Sequence, residues 1–425
     1  MPATIQVKYY NTFILKKIAA SSILDRCWYI EEARIRGGYN NVQTGLSPRA
    51  FLVSEENAQE TLGNSIIYSG IFNSRTGVNQ SNQFPSGQDI TRTVDPSKGT
   101  IQKLYAENTN LTIFQERKVN RALIDKDAIY TQEGVPMQTT SNVVIGAIQP
   151  YAGEFGISTN PESFAVYGYR KYFTDVRQGS VLRLSQDGIT EISNYGMYDF
   201  FRDNLSTLAG GEVIGGYDIH NKCYTLSIQP SSVSITPVTL SFDETVLGWS
   251  SRYSYVPSNM FSIQNNFYST SKTTGDIYKH YSDTVNRGYF YGTQYSSEVK
   301  SVFNANPSLV KSFQTLSYEG APTWAMTSFV TNQDTTTPVS KYTPVVTLAD
   351  MENSLFKNEF KRKEDKYFAN LINASSFTQG EVIFGDSISG VKGFYATVTM
   401  SAANTATSGT NELFAIGTNY KESSY

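Results

Sequence analysis

The segment SVLRLSQDGITEI, residues 180–192, carries the pattern that decides the fold class of this chain. Two runs rich in apolar residues, Val181–Leu184 and Ile189–Ile192, flank the polar residues Ser185-Gln186-Asp187-Gly188. The Asp-Gly pair supplies the positive φ angle that a tight turn between antiparallel strands needs. The segment therefore predicts a β-hairpin.

Similar hairpin patterns lie on both sides of this segment, with further predicted turns near residues 220, 244 and 274. The predicted strand pairs are Val213–Asp218 with Cys223–Ile228, Thr239–Phe242 with Gly248–Tyr253, and Phe261–Tyr268 with Asp276–Tyr281. Upstream, residues 104–105, 111–114 and 119–124 predict a three-stranded meander. Two hairpins would repeat after roughly 50–60 residues, somewhat more than a four-stranded propeller blade occupies. No Trp-Asp motif recurs, so we expect a mainly β fold whose body, residues 1–300, is β-propeller-like or a β-sandwich.

The composition and patterning of the sequence change after about residue 300. Residues 331–344 are rich in Thr and punctuated by Pro, which predicts a loop. Residues 380–425 are again alternating and rich in small residues. We therefore expect a smaller β-rich docking domain over residues 301–425, with a boundary near 295–305.

Few short helices are predicted. One covers residues 198–208. A second is predicted over residues 350–371, because Asp350 can cap its start and four apolar residues lie near helical spacing. These four are Met351, Leu355, Phe356 and Phe360.

The composition favours a protein that works by contact with other proteins. Charged residues make up 17% of the chain, well below the roughly 25% of an average soluble domain. Uncharged polar residues fill the gap, and the chain contains 29 Tyr, 24 Phe and 3 Trp. A ring with a polar tip suits half-buried sheet faces and protein interfaces. We therefore expect function through subunit contacts and no enzymatic activity.

The net charge limits the class of binding partner, and the cysteines indicate the compartment in which the chain folds. The net charge of −3 argues against DNA as the main partner, which would need a dense basic surface. Residues 1–17 fit neither a signal peptide nor a membrane span. Cys27 and Cys223 are expected to be separate buried thiols of a protein that folds in a reducing cytosol.

One motif tests the expectation of no catalysis. Residues 384–389, FGDSIS, are similar to the nucleophile block of Gly-Asp-Ser hydrolases. Those enzymes place the block near the start of the chain and an Asp-x-x-His near the end, whereas here both histidines, His220 and His280, precede the serine. A serine nucleophile needs a base within hydrogen-bonding reach. We therefore interpret the block as a turn.

Other polar groups are also interpreted as structural. Glycoside hydrolysis needs two carboxylates in one cleft, and three pairs are candidates: Asp243 with Glu244, Asp187 with Glu191, and Asp199 with Asp203. Neither histidine has a second ligand at metal-binding spacing, and residues 73–89 lack a calcium-loop motif. The mixed charges of residues 357–366 indicate a solvated face or an inter-subunit ion-pair strip. The sequence thus predicts no catalytic residue, no cofactor-binding residue and no metal ligand.

Several longer segments carry a resemblance to known proteins. They are ATIQVKYY (residues 3–10), EEARIRGGYN (31–40), SGIFNSRTGVN (69–79), STNPESF (158–164), GITEIS (188–193) and NELFA (411–415). This set resembles virion structural proteins of tailed phages, particularly cyanobacterial and marine phages. A second set resembles the propeller blades of tail nozzle or muzzle proteins of short-tailed phages. It comprises GGYDIH (215–220) with residues 224–228, and FDE (242–244) with GWS (248–250).

The resemblance implies a structural component of a tailed-phage virion, with a tail role (nozzle, baseplate or tail-tube-associated) as the first choice. It implies assembly in the host cytoplasm into a ring-like homo-oligomer that contacts other tail or neck proteins. DNA would pass without sequence-specific contact, and no membrane span is expected. Two alternatives stay open: a tail-borne receptor-binding or polysaccharide-degrading protein, and a head or neck accessory protein.

Overall fold

The computed structural model describes most of the chain from residue 62 onward and three strands before it. The described residues are 11–17, 28–34, 50–53, short pieces between 62 and 84, 90–107, 110–130, 136–336, 338–342, 358–374, 390–404 and 411–422. They form two compact units, Met1–Ile277 and Tyr278–Tyr425, here called the body and the C-terminal unit. The boundary predicted near residues 295–305 lies inside the C-terminal unit.

The fold is mainly β, as predicted. The strands up to the unit boundary are β1 (Asn11–Lys17), β2 (Trp28–Arg34), β3 (Ala50–Val53), β4 (Ser65–Ile67), β5 (Phe72–Asn73), β6 (Val78–Asn79), β7 (Thr91–Thr93), β8 (Ile101–Ala106), β9 (Asn110–Gln115), β10 (Val119–Tyr130), β11 (Pro136–Pro150), β12 (Ala165–Tyr167), β13 (Arg170–Asp175), β14 (Ser180–Ser185), β15 (Gly188–Glu191), β16 (Glu212–Asp218), β17 (Cys223–Gln229), β18 (Val238–Asp243), β19 (Gly248–Tyr253), β20 (Pro257–Ile263), β21 (Asn266–Ser271) and β22 (Ile277–Lys279). The strands that follow are β23 (Tyr289–Phe290), β24 (Thr293–Gln294), β25 (Ser297–Phe303), β26 (Lys311–Gly320), β27 (Trp324–Thr331), β28 (Lys361–Lys363), β29 (Lys366–Asn370), β30 (Val391–Gly393), β31 (Ala396–Ala402) and β32 (Leu413–Glu422). One α-helix, α1 (Tyr198–Ser206), occurs in the described part of the chain and confirms the helix predicted there.

Successive strands of the body form a series of separate sheets. Sheet 1 (β8–β11), sheet 2 (β12–β15) and sheet 3 (β16–β19) are four-stranded, and each pairs its strands in chain order. Every pairing in these three sheets is antiparallel. Sheet 4 (β20–β22) has three strands, and β1–β3 form a separate sheet in the order β2-β1-β3. A four-stranded antiparallel meander is the unit from which propeller blades are built.

The opening hairpin has the predicted register. Ser185 pairs with Gly188, and the positive φ falls on Gly188 at 105°. The predicted hairpins over residues 213–228 and 239–253 are likewise confirmed as β16–β17 and β18–β19. The predicted single strand 261–268 is wrong, because Gln264 and Asn265 adopt φ angles of 49° and 62° and turn the chain between β20 and β21. Asn tolerates this left-handed conformation without a glycine.

Neighbouring sheets of the body approach closely through β16. A Cβ atom built on Gly215 would lie 2.0 Å from the Ser163 carbonyl oxygen, and one on Gly216 would lie 2.4 Å from the Met260 Cβ. Only glycine permits such approaches. The Tyr224 hydroxyl also donates to the Ser163 carbonyl oxygen at 2.7 Å. Sheet 3 is thereby fixed between sheets 2 and 4.

The contacts between sheets also show how their first strands run. Along β16, Gly215 lies beside Ser163 and Tyr217 stacks on Tyr167 at 4.2 Å between ring centroids. Likewise, Gly216 lies beside Met260, and the Ser262 hydroxyl donates to the Tyr217 carbonyl oxygen at 2.6 Å. Residue numbers rise together on the three strands, so β12, β16 and β20 run in the same direction. The turns that follow these strands therefore share one end of the body, here called the upper end; the β13–β14 and β17–β18 turns lie at the lower end.

In the C-terminal unit, two larger sheets surround one core, and β23 and β24 form a separate two-stranded sheet. Sheet 5 has the order β25-β31-β27, and sheet 6 has the order β28-β29-β26-β30 with β32 paired to β26. Along β31, alternate residues from Ala396 to Ala402 are buried, as expected for a strand with one buried face. The core contains large rings of both sheets, among them Phe313 and Phe329.

The predicted helix over residues 350–371 is wrong where the structure describes it, since residues 361–363 and 366–370 are the strands β28 and β29. Residues 350–357 lie outside the described part. The reason is a tight turn at Glu364 and Asp365, whose φ angles are 52° and 61°. This turn joins the two strands, and the helical spacing of the apolar residues gave no sign of it. In β29, Tyr367 and Ala369 are buried while their neighbours are exposed. This period of two is the signal that identifies the strand.

Candidate assembly surfaces

The three carboxylate pairs singled out from the sequence are engaged in structural contacts. Asp199 and Asp203 both contact the Arg202 guanidinium, at 2.8 and 2.9 Å. Glu191 accepts hydrogen bonds from the hydroxyls of Ser180 and Ser193 and from the Asn194 amide. Asp187 faces Arg183 and Ser185, and Asp243 accepts from the Thr245 backbone N–H. These carboxylates hold turns and a helix in place.

Glu244 forms the most buried of these contacts, at the upper end of the body. Its carboxylate lies 2.8 Å from the Arg183 guanidinium and 4.0 Å from that of Arg170. It also accepts a hydrogen bond from the Tyr172 hydroxyl at 2.8 Å. The side chains of Glu244 and Arg183 are only 13% and 14% exposed. Burial raises the pKa of Tyr172, and the hydrogen bond to Glu244 raises it further. The cluster joins the turn after β18 to sheet 2.

The two histidines and Cys223 form no common group in the described part of the chain. His220 lies exposed on the β16–β17 turn, and His280 is buried, which lowers its pKa to about 4. Cys223 is buried as predicted, and burial raises the pKa of its thiol to about 11; Cys27 lies outside the described residues, as does the block at 384–389. No group of three or more His, Cys, Asp or Glu side chains that could hold a metal occurs among the residues described.

Sheets 5 and 6 of the C-terminal unit each have one edge that is covered or consists of charged residues alone, here called the closed edge. In sheet 6 this edge is β28, a three-residue strand in which Lys361, Arg362 and Lys363 are all exposed. In sheet 5 it is β27, which is covered because Met326 and Val339 exchange backbone hydrogen bonds of 2.9 Å. Short length, lysines and covering segments are the devices by which proteins prevent strand addition.

The opposite edges, here called the open edges, are longer strands that no described segment covers, although each carries one exposed lysine, Lys300 on β25 and Lys421 on β32. The seven residues of β25 all pair with β31, and no other described strand pairs with β25. The ten-residue strand β32 pairs with β26 alone among the described strands. Both expose an apolar side chain: Val302 on β25 is 61% exposed and Phe414 on β32 is 73% exposed. A long edge strand with exposed apolar groups is a template for pairing with another chain.

No helix among the described residues is long and apolar enough to cross a membrane. In the charged segment 357–366, residues 361–366 are all exposed, and Arg362 pairs with Asp365 within the chain. An inter-subunit ion-pair strip remains a prediction.

The comparison with protein families bears on the C-terminal unit. Residues 285–374 match the family described as the Crassvirus muzzle protein C-terminal domain. The matched segment lies within the C-terminal unit and contains β25 and both closed edges. The match supports a phage tail structural protein, which is the general form of the function expected from the sequence. The resemblance to cyanobacterial and marine phage proteins remains a prediction.

Other comparisons add no functional information. No curated protein matches the chain. Two solved structures of an exo-β-1,3-galactanase from Phanerochaete chrysosporium, one with β-1,3-galactotriose and one with galactose, align with TM-scores of 0.19. Their sequences are 10% and 9% identical, and each alignment covers 84% of this chain and 100% of the other. A TM-score this low supports no conclusion about fold or activity.

Proposed function

We propose that this protein is a tail subunit of the muzzle or nozzle type and that it assembles through the open edges of its C-terminal unit. The observation that carries the proposal is the match of residues 285–374 to a muzzle C-terminal domain. The matched residues contain both closed edges and the open edge β25, whereas the open edge β32 follows them in the same unit. The expected partners are identical subunits in a ring and other tail proteins.

The physical basis is the addition of a strand from a neighbouring subunit to β25 or β32. An edge strand offers unpaired N–H and C=O groups, which an incoming strand satisfies along its whole length. The seven residues of β25 and ten of β32 exceed the roughly five to six residues of an average strand. Val302 and Phe414 would lose their exposure to water in the same step, which adds a favourable hydrophobic contribution.

The body contributes the wall of the assembly in this proposal. Its consecutive meanders have the pairing order of propeller blades, and a ring of such subunits around the tail axis would let DNA pass without base-specific contacts. Assembly would take place in the host cytoplasm, and the protein would act in the virion. We also propose that it performs no catalysis, because the candidate carboxylates serve ion pairs and turns.

The proposal is tested by placing a charge on the open edges. Val302→Lys and Phe414→Lys change exposed side chains, so both variants should keep the unfolding temperature of the parent chain. Because lysine on an edge opposes strand addition, we expect the double variant to weaken self-association at least about tenfold in sedimentation velocity, which corresponds to roughly 1.4 kcal/mol. Val233→Lys is the matched control, since Val233 is fully exposed on a body loop.

An unchanged sedimentation profile for the double variant would contradict assembly through these edges. Equal weakening by Val233→Lys would show a general effect of added charge. Release of sugars from host envelope polysaccharide by the parent chain, abolished in Glu244→Gln, would contradict the proposed lack of catalysis.

A further inference from the structure

The β10–β11 hairpin of the body extends beyond the sheet to which it belongs. Strand β9 pairs with β10 only as far as Leu123. Strands β10 and β11 continue past that point and remain paired with each other over residues 126–130 and 136–140. No other described strand pairs with these residues. They form a two-stranded ribbon, here called the arm, which spans about 17 Å at the usual rise of a strand.

An irregularity in the pairing separates the arm from sheet 1. The pair of Ile124 with Ile145 is followed by the pair of Lys126 with Thr140, so one residue of β10 lies opposite four residues of β11. Extra residues on one strand interrupt the ladder and bend the strand that carries them. The arm therefore takes its own direction, apart from the strands of the sheet.

The arm lacks the third strand that would stabilise it. A two-stranded ribbon by itself is at best marginally stable in water. The β10 side of the arm carries the charged residues Lys126 and Asp127, whereas the β11 side, residues 136–140, has the sequence PMQTT without a charge. Charged residues, lysine above all, are the usual protection of an edge against strand addition. The β11 side is therefore the side on which a further strand can pair.

We propose that residues 136–140 of the arm pair with β32 of a neighbouring copy of this chain. This proposal rests on the proposed function, in which a neighbouring subunit adds a strand to an open edge, and it names the donor strand and the accepting edge. A strand added in this way satisfies backbone N–H and C=O groups on both partners. The five residues of the arm match the length of an average strand.

The charges on the two open edges favour β32 over β25 as the acceptor. Every stretch of five consecutive residues in β25 contains Lys300, which opposes strand addition. In β32, by contrast, residues 413–420 contain no charged residue, and Lys421 lies near the end of the strand. An uncharged strand can therefore pair along most of β32 without removing a charge from water, which is costly when the charge is left unpaired.

The positions of donor and acceptor fit a ring. The arm belongs to the body and β32 to the C-terminal unit, so the two surfaces that meet are different parts of the chain. A contact between different surfaces is heterologous, and its repetition closes into a ring when the rotation permits. Each subunit would donate one arm and accept another.

Photo-cross-linking in assemblies of the full chain tests the pairing. Benzoylphenylalanine replaces Gln138 in the arm or, as the control, the exposed Arg252 on β19, the outer strand of sheet 3. Each of these chains is assembled with a heavy-isotope-labelled parent chain, and products are located by peptide mass spectrometry. We expect position 138, but not position 252, to cross-link to labelled residues 413–422. Cross-links of position 138 only to its own chain, or only to other labelled residues, would overturn the proposal.

A lysine on the arm gives a second test. Gln138→Lys should weaken self-association at least about fivefold in sedimentation velocity, because lysine opposes strand addition. Ser250→Lys is the matched control, since Ser250 is exposed on β19, and it should leave association unchanged. The cross-linking experiment needs no charge on the arm, so it also decides the case in which Gln138→Lys lowers the unfolding temperature.

The failure of this proposal is distinguishable from failure of the proposed function. Weaker association in Phe414→Lys but not in Gln138→Lys would retain the open edges and overturn the arm as the donor. Weaker association in Val302→Lys alone would retain the open edges and overturn β32 as the acceptor. Unchanged association in both edge variants would contradict assembly through the open edges and, with it, the pairing of the arm.

Discussion

The body and the C-terminal unit bring their sheets together in different ways. In the body, apolar clusters are combined with close backbone approach at Gly215 and a buried ion pair between Glu244 and Arg183. In the C-terminal unit, one core lies between two sheets and contains 16 buried hydrophobic residues among those described. Polar contacts fix the position of one sheet on the next, because each donor needs its acceptor. Apolar packing stabilises the C-terminal unit from the inside and leaves the outer strand edges available for pairing.

The largest effect is expected from a substitution in the apolar core of the C-terminal unit. Phe329 is fully buried and its ring lies 5.6 Å from that of Phe313 and 6.5 Å from that of Phe303. Phe329→Ala should lower the free energy of unfolding of the C-terminal unit by about 3–5 kcal/mol, because it leaves a cavity. Urea denaturation followed by tryptophan fluorescence, to which Trp324 of this core contributes beside Trp28 and Trp249, would measure this loss. Phe394→Ala, at a partly exposed ring, should cost far less; equal losses would contradict the central role of the core.

The second-largest effect is expected from breaking the buried ion pair between Glu244 and Arg183 in the body. Glu244→Gln removes the charge that compensates Arg183, and breaking a buried ion pair costs about 3 kcal/mol or more. We expect a lower free energy of unfolding of the body in urea denaturation. The control is Asp199→Asn, which removes an exposed ion pair and should cost less than about 1 kcal/mol. A similar small loss for both variants would mean that Glu244 does not fix sheet 2 to sheet 3.

The third prediction concerns acid, where the two units should differ. Burial lowers the pKa of His280 in the C-terminal unit from its ordinary 6.5 to about 4. Below pH 6.5 the unfolded chain binds a proton that the folded unit does not, so stability falls as the pH falls from 6.5 toward 4. The loss should reach about 2–3 kcal/mol.

The check is urea denaturation of the C-terminal unit within the full chain at pH 7 and pH 4.5. His280→Gln removes the titrating group and should lose this part of the pH dependence, whereas His220→Gln, at an exposed turn, should keep it. An unchanged pH dependence in His280→Gln would show that other groups determine the acid sensitivity.

The smallest effect is expected at Gly215, where glycine permits the close approach of two sheets of the body. Gly215→Ala places a methyl group against the Ser163 carbonyl oxygen and should cost about 1–3 kcal/mol through overpacking. Gly248→Ala is the matched control, because a Cβ there would meet its nearest neighbour at 3.8 Å. Thermal unfolding would compare the two, and equal unfolding temperatures would contradict the close approach of sheets 2 and 3.

The sequence predicts local hairpins well and long-range pairing poorly. Asp187-Gly188 identifies its turn because glycine is the usual residue at positive φ, whereas the turns at Gln264-Asn265 and Glu364-Asp365 lack glycine and were missed. The ion pair of Glu244 with Arg183 joins residues 61 positions apart. The open edge of β25 depends on pairing with β31, whose partner residues Ser297 and Ala402 are remote in the chain. No local pattern specifies such pairs.

The central claim is that a neighbouring subunit adds a strand to an open edge. An electron cryomicroscopy map of the intact virion, at a resolution that separates strands, tests this claim most directly. We predict a strand of another subunit alongside β25 or β32 at roughly 4.8 Å, the spacing of hydrogen-bonded strands, with Val302 or Phe414 covered. A map in which both edges face solvent, or are paired only with segments of the same chain, would contradict it.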